Sequence, residues 1–256
     1  MRKDALPAFI IGGAPRSGTT YLATGLARHP QVSMAQPLIP EPKVFMTHEQ
    51  SASFYIDRYR ALFGGAPDGA VCGEKTSYYL ESIQARDLIH SLLPEVRLLF
   101  IVREPVARAY SNYLWTRQNG LETLSYEDAI AAEGRRDSPL PPEKSYVRPF
   151  DYLSRSQYAA LARPYLQLFG ADRVRFLLYE DIAVRPAQLW LEIQNFLGLA
   201  PVIWQDLDAG VVNSAKDTGA AIRPETATRL RERMRPFVDE FHQLTGLDLS
   251  SWGYAA

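Results

Sequence analysis

The 256-residue chain has a single cysteine, Cys72. One thiol excludes an internal disulfide and a cysteine-based zinc site. The four histidines are scattered without H-E-x-x-H spacing, so nothing marks a metal cluster. Neither sign of charge is in excess: 28 Lys and Arg stand against 29 Asp and Glu. No global field therefore draws the chain to nucleic acid or to a membrane surface, and any anion site must be local. No run approaches the roughly 18 apolar residues of a membrane span. The opening MRKDALPAFIIGGAP is basic but has only a short apolar run, and reads as neither signal peptide nor anchor, so a cytoplasmic protein is expected. No internal repeat is visible, and 46% hydrophobic against 22% charged residues suits one buried core. A single domain over 1–256 follows as the expectation.

What is present begins with Phe9 to Ala27, FIIGGAPRSGTTYLATGLA: an apolar strand, a Gly/Pro turn, and a helix starting on Gly18-Thr19-Thr20. Backbone N–H groups and the positive end of a helix dipole there converge on one spot, an anion cradle. Gly13 and Gly18 have the spacing of a nucleotide-binding P-loop, but Thr19 stands where its Lys belongs. That Lys reaches the β/γ-phosphates of a triphosphate. Here the cation is Arg16 instead, and with the hydroxyls of Ser17, Thr19 and Thr20 it suits a smaller anion next to a nucleotide 5′-position. A tight turn with no ligand is the plainer account of the loop alone.

Residues 31–50 hold Pro37, Pro40 and Pro42 and are expected as a proline-fixed loop carrying Glu41, Lys43 and His48 close together. Ser53 to Phe63 reads as an amphipathic helix and Ala70 to Gly73 as a short strand with Glu74-Lys75-Thr76 at its C-terminal end, where ligands bind in open α/β sheets. Helices are expected over Ile83–Leu92, Glu122–Glu133, Tyr152–Phe169, Pro186–Leu197 and Pro224–Leu244, and strands over Val96–Val102 and Val174–Leu178. Arg103 follows a strand end, with Ser111 about two helical turns later, a pair that suits a phosphate or a structural cap. Strands and helices alternate, which argues for an α/β fold with a central parallel sheet flanked by helices.

Three pieces in order, PRSGTT, FIVREPVARAYSNY and LLYEDIAVRP…IQNFLGL, resemble the sulfotransferases that use 3′-phosphoadenosine 5′-phosphosulfate (PAPS). The closest likeness is to the heparan-type carbohydrate sulfotransferases and their bacterial relatives, and it spans nearly the whole chain. The resemblance implies the P-loop-kinase-like sulfotransferase fold. It implies that Arg16, Ser17, Gly18, Thr19 and Thr20 bind the 5′-phosphosulfate, that Arg103 and Ser111 bind the 3′-phosphate, and that the product is adenosine 3′,5′-bisphosphate with no metal required. A late loop folding over the nucleotide brings in Lys216, Gly219 and Arg223. Tyr158, in a YAxxL-like stretch, lies near the nucleotide or packs in the core.

The family's E-P-H-F-F-like segment is matched by Glu41-Pro42-Lys43-Val44-Phe45, with Lys43 in the place of His, which makes Glu41 the general base. Its E-K-T-P segment is matched by Glu74-Lys75-Thr76, with Ser77 replacing Pro, and its Lys reaches the reacting end. His48 is the alternative base. Arg16 and Lys75 would stabilise charge on the sulfuryl and bridging oxygens. The acceptor is a glycan, a glycolipid or a small molecule bearing a hydroxyl or an amine; Lys43, His48, Glu74, Tyr78 and Trp115 are the residues expected near it, although core packing accounts equally for the two aromatics. Two other readings remain: a small-molecule kinase with an altered P-loop, and a non-catalytic nucleotide-binding protein.

Overall fold

A computed structural model of the chain describes residues 6–47, 51–204 and 222–254. Within them the chain separates into two compact units, 6–102 with 164–204 and 103–163 with 222–254. The elements run β1 (Phe9–Gly13), α1 (Thr19–Leu26), β2 (Val32–Met34), α2 (Ala52–Phe63), β3 (Val71–Lys75), α3 (Ile83–Leu92), β4 (Arg97–Val102), α4 (Pro105–Gln118) and α5 (Tyr126–Ala131). They continue as α6 (Tyr158–Phe169), β5 (Val174–Leu178), α7 (Asp181–Val184), α8 (Pro186–Leu197) and α9 (Pro224–Thr245).

In the first unit the strands form one parallel sheet of order β2-β3-β1-β4-β5. Every residue of β1 is buried, as are five of the six in β4, which is why both read as apolar runs without alternation. The core holds Phe9 and Ile11 of β1, Leu22 and Leu26 of α1, Leu99 and Ile101 of β4, and Leu189, Trp190 and Ile193 of α8. Because β1 lies between β3 and β4, the chain departs in opposite directions on either side of it. The C-terminal ends of β1 and β3 therefore face the crevice that parallel α/β sheets offer to ligands.

Register brings Gly73 opposite Phe9, and a Cβ on residue 73 would lie 2.0 Å from the Phe9 ring. Phe9 is fully buried, so the ring has no room to retreat. Gly73→Ala should destabilise the chain by about 1–3 kcal/mol through overpacking, read as a fall in the urea midpoint. An unchanged midpoint would mean that this side of the sheet yields freely.

The second unit is built on α4. Glu104 caps it by accepting from Val106 N (3.2 Å) and Ala107 N (2.6 Å), and Pro105 supplies the preset first position. Val106, Ala109 and Tyr113 pack with Tyr126 and Ile130 of α5 and with Leu230 and Met234 of α9.

Four expectations are corrected. Residues 31–50 are not loop throughout: Val32–Met34 forms β2, and Val44–Met46 is a 3₁₀ turn. Three residues are too few to show a period, and β2 is held by its pairing with β3 rather than by a pattern of its own. The helix expected from Tyr152 starts at Tyr158. The N–H groups of Tyr152, Leu153 and Ser154 all donate to the Glu133 carboxylate, and the Tyr152 carbonyl accepts from the buried Arg108 guanidinium, so that segment follows its partners. The helix expected over Glu122–Glu133 is confined to α5, because Ser125 caps it through Asp128 N (3.2 Å) while Glu122 accepts from the N–H groups of Thr123 and Leu124. β3 also runs two residues further than expected, taking in Glu74 and Lys75.

Candidate functional site

In the first unit, the turn between β1 and α1 carries Arg16, Ser17 and Gly18. Gly18 sits at φ 95°, and a Cβ there would lie 2.9 Å from the Tyr179 ring, so the position requires glycine on two counts. Arg16 has φ 68°, a left-handed conformation uncommon in a residue with a side chain. As N-cap of α1, Gly18 offers no capping side chain, and the positive end of the helix dipole lies at this turn. Ser17 is fully buried and its hydroxyl has no hydrogen-bond partner among the described residues. A buried orphan hydroxyl beside an uncapped helix N-terminus fits an anion such as phosphate or sulfate.

Lys75, at the end of β3, is 3% exposed. Its ammonium lies 2.9 Å from Glu41 Oε1 and 3.5 Å from Thr20 Oγ1. One cation thus joins the carboxylate expected as base to the first turn of the helix at the cradle. Glu41 is gripped further by Ser77, whose Oγ donates to Oε1 (2.8 Å) and whose N–H donates to Oε2 (3.2 Å).

The segment around Glu41 is pinned residue by residue. Arg58 donates to the Pro42 carbonyl (3.3 Å), Lys43 N to Thr76 Oγ1 (3.1 Å), and Phe45 N to Tyr79 OH (3.2 Å). The Lys43 ammonium sits 5.7 Å from the centre of the Tyr78 ring, in cation–π range. Both residues are half-buried.

Glu74 differs from the expectation of an acceptor contact: it is fully buried, accepts from Tyr59 OH (2.7 Å), and accepts from Thr76 Oγ1 (3.4 Å). Burial pushes its carboxyl up to about 7, with the hydrogen bonds from Tyr59, Tyr79 and Thr76 opposing and the charge of Glu41 adding to the rise. It connects to the Glu41 segment through Thr76, whose Oγ1 accepts from Lys43 N, and through Tyr79, whose hydroxyl accepts from Phe45 N.

In the second unit, the backbone of Arg103 is held by Tyr158, whose hydroxyl donates to the Arg103 carbonyl (2.8 Å) and accepts from its N–H (3.4 Å). The Tyr158 ring is buried against Phe241 (5.6 Å) and Trp252 (6.0 Å), so core packing aims its hydroxyl at Arg103. Ser111 and Trp115, half-buried, lie one turn apart on the same face of α4. Arg223 donates to Glu127 (2.9 Å) and holds that carboxyl down at about 2. His48, Lys216 and Gly219 lie outside the described residues.

Two features of the first unit carry no sequence signal. Ser77 shows in the sequence only as a departure from E-K-T-P, and the Tyr59–Glu74–Thr76 chain joins residues of unrelated periodicity. Among the described residues no group of three His, Cys, Asp or Glu could hold a metal ion, and no helix is long and apolar enough to cross a membrane.

A family model described as "Sulfotransferase domain" matches residues 6–235. The chain is similar to human heparan sulfate glucosamine 3-O-sulfotransferase 6, with 28% identity over 269 residues that cover 96% of this chain and 74% of that protein. It is also similar to human bifunctional heparan sulfate N-deacetylase/N-sulfotransferase 3, with 27% identity over 210 residues covering 77% of this chain and 23% of that protein. Among solved structures it resembles a sulfotransferase from Alicyclobacillus acidocaldarius at a TM-score of 0.75 and 25% identity, covering 97% of this chain and 99% of the other.

Proposed function

This chain belongs to the sulfotransferase domain family, and on that premise we propose that it moves a sulfuryl group from PAPS to a hydroxyl or amine of a carbohydrate or small-molecule acceptor. The observation that carries the proposal is Lys75, which lies within 2.9 Å of Glu41 and 3.5 Å of Thr20 and so ties a carboxylate to an anion cradle. In this reading the whole chain, 1–256, acts as one sulfotransferase domain, in keeping with a family model that runs across both compact units.

When bound, the donor supplies the sulfuryl group, whose bond to the nucleotide oxygen breaks as the acceptor atom bonds to sulfur. The residues of this chain bind, orient and move one proton. Arg16, the hydroxyls of Ser17, Thr19 and Thr20, and the N–H groups that begin at Gly18 hold the 5′-phosphosulfate; the orphan Ser17 hydroxyl is the group that most needs such a partner. Arg103 and Ser111 hold the 3′-phosphate, with Tyr158 fixing the Arg103 backbone. Glu41 takes the proton of the acceptor, and Lys75 with Arg16 stabilises charge on the sulfuryl and bridging oxygens. Lys43 and Tyr78 border the acceptor, and the heparan sulfate named for the relatives is the first acceptor to try. Trp115 and Arg223 complete the set in the second unit.

Calorimetric titration with adenosine 3′,5′-bisphosphate, run against ATP with Mg²⁺, tests the donor site. Metal-independent binding of the bisphosphate is expected, weakened roughly 10- to 100-fold in Arg103→Ala, the loss of charge-assisted hydrogen bonds to a phosphate. Binding of ATP with Mg²⁺ and none of the bisphosphate would replace the proposal with a kinase that has an altered P-loop.

A further inference from the structure

We infer that Ser77 is the positioning residue for Glu41, fixing which oxygen of that carboxylate stays open to the acceptor's proton; the inference rests on the sulfuryl-transfer reading above. An ionised carboxylate offers about four acceptor directions, two on each oxygen. Oε1 accepts from Lys75 Nζ (2.9 Å) and from Ser77 Oγ (2.8 Å), which fills it. Oε2 accepts from Ser77 N (3.2 Å) and keeps one direction open. The proton therefore leaves the acceptor O–H or N–H for Oε2, while the acceptor's lone pair goes to sulfur.

Lys75 alone could not set this. An ammonium is a point-like donor on a flexible stem, and the terminal torsion of a glutamate is broad and nearly two-fold, so either oxygen could face the lysine. Ser77 removes the ambiguity by donating to both oxygens from one residue. Its own placement is firm: the preceding Thr76 N donates to the Ile11 carbonyl (3.1 Å), which ties the turn to β1, and Ser77 is buried. A proline at residue 77, as in the E-K-T-P pattern, would supply neither donor.

The test compares wild type, Ser77→Ala and Ser77→Thr by turnover with PAPS and heparan sulfate, by titration with adenosine 3′,5′-bisphosphate, and by crystal structures of the bisphosphate complexes. In Ser77→Ala, kcat should fall roughly 3- to 10-fold, the worth of one hydrogen bond, with KM and bisphosphate affinity unchanged. With only the residue 77 N–H and Lys75 left to hold it, the Glu41 carboxylate should rotate so that Oε1 leaves residue 77, and Ser77→Thr, which keeps the hydroxyl, should restore both rate and orientation. Wild-type kcat in Ser77→Ala, or a rate and a bisphosphate affinity that fall together, overturns the role. So does a Glu41 carboxylate that keeps its orientation in Ser77→Ala, a readout that holds whichever acceptor the protein uses. A wild type that binds no bisphosphate overturns the sulfuryl-transfer reading instead.

Discussion

Replacing Glu41 by Gln is expected to lower sulfuryl transfer by roughly 10²- to 10⁴-fold while leaving adenosine 3′,5′-bisphosphate affinity nearly intact. The substitution keeps the side chain's shape and one acceptor oxygen but removes its basicity. The retained carbonyl can still accept from Lys75 and Ser77 Oγ at the Oε1 position. The new amide then meets the Ser77 N–H donor to donor where Oε2 had accepted at 3.2 Å. The segment is also held at Pro42, Lys43 and Phe45, so this single mismatch should cost little in stability, and the melting temperature serves as the control. The donor's nucleotide is held in the proposal by other residues, which is why binding and rate should separate. A variant that turns over at the wild-type rate would move the base to another residue, His48 being the alternative marked by the sequence. A variant that loses bisphosphate binding in step with rate would make Glu41 a structural partner of Lys75.

That separation also shows what was legible in the sequence. The strands at Phe9–Gly13 and, after the exposed Arg97, Leu98–Val102 are apolar runs because both faces of the sheet are covered there, and Val174–Leu178 is apolar but for the exposed Arg175; such runs announce themselves. Helices α8 and α9 each carry Pro at the first position and a left-handed Gly after the last, so their limits could be read almost to the residue. The turn between β1 and α1 was legible for the same reason: its Gly18, at φ 95°, is required by local backbone geometry. The short strand β2 and the late start of α6 were not, since both depend on partners distant in sequence. The grip on Glu41 belongs with these. Ser77 lies 36 residues from Glu41, and Thr76 lies 33 from Lys43, separations that leave no trace in any local pattern. Glu74 stood beside Lys75 as an apparent pair at the site, yet alternation along β3 sends the two side chains to opposite faces, one toward Glu41 and the other into a pocket of tyrosines.

The buried Glu74 makes the stability of the chain fall as pH rises. Its carboxyl lies at about 7 in the folded chain against an ordinary value of 4.5, chiefly because burial disfavours the charged form. Between those values the folded chain binds this proton more tightly than the unfolded chain does. The stabilisation is therefore complete below about pH 4.5, is lost as pH climbs to about 7, and stays lost above that. The shift corresponds to about 3 kcal/mol, large beside the stability of an ordinary domain. Glu74→Gln removes the titration and keeps one oxygen to accept from Tyr59 OH, while the amide that replaces the second oxygen meets Thr76 Oγ1, a hydroxyl that can accept from it. Urea midpoints measured at pH 4.5, 6 and 8 should then cross: the variant equals or trails wild type at the lowest pH and exceeds it at the highest. Taking the difference between the two proteins at each pH cancels the remaining titrating groups, provided Glu41, whose charge adds to the rise, is present in both. Parallel curves with a constant offset would show that Glu74 does not titrate in this range, and that its hydrogen bonds from Tyr59 and Thr76 outweigh its burial.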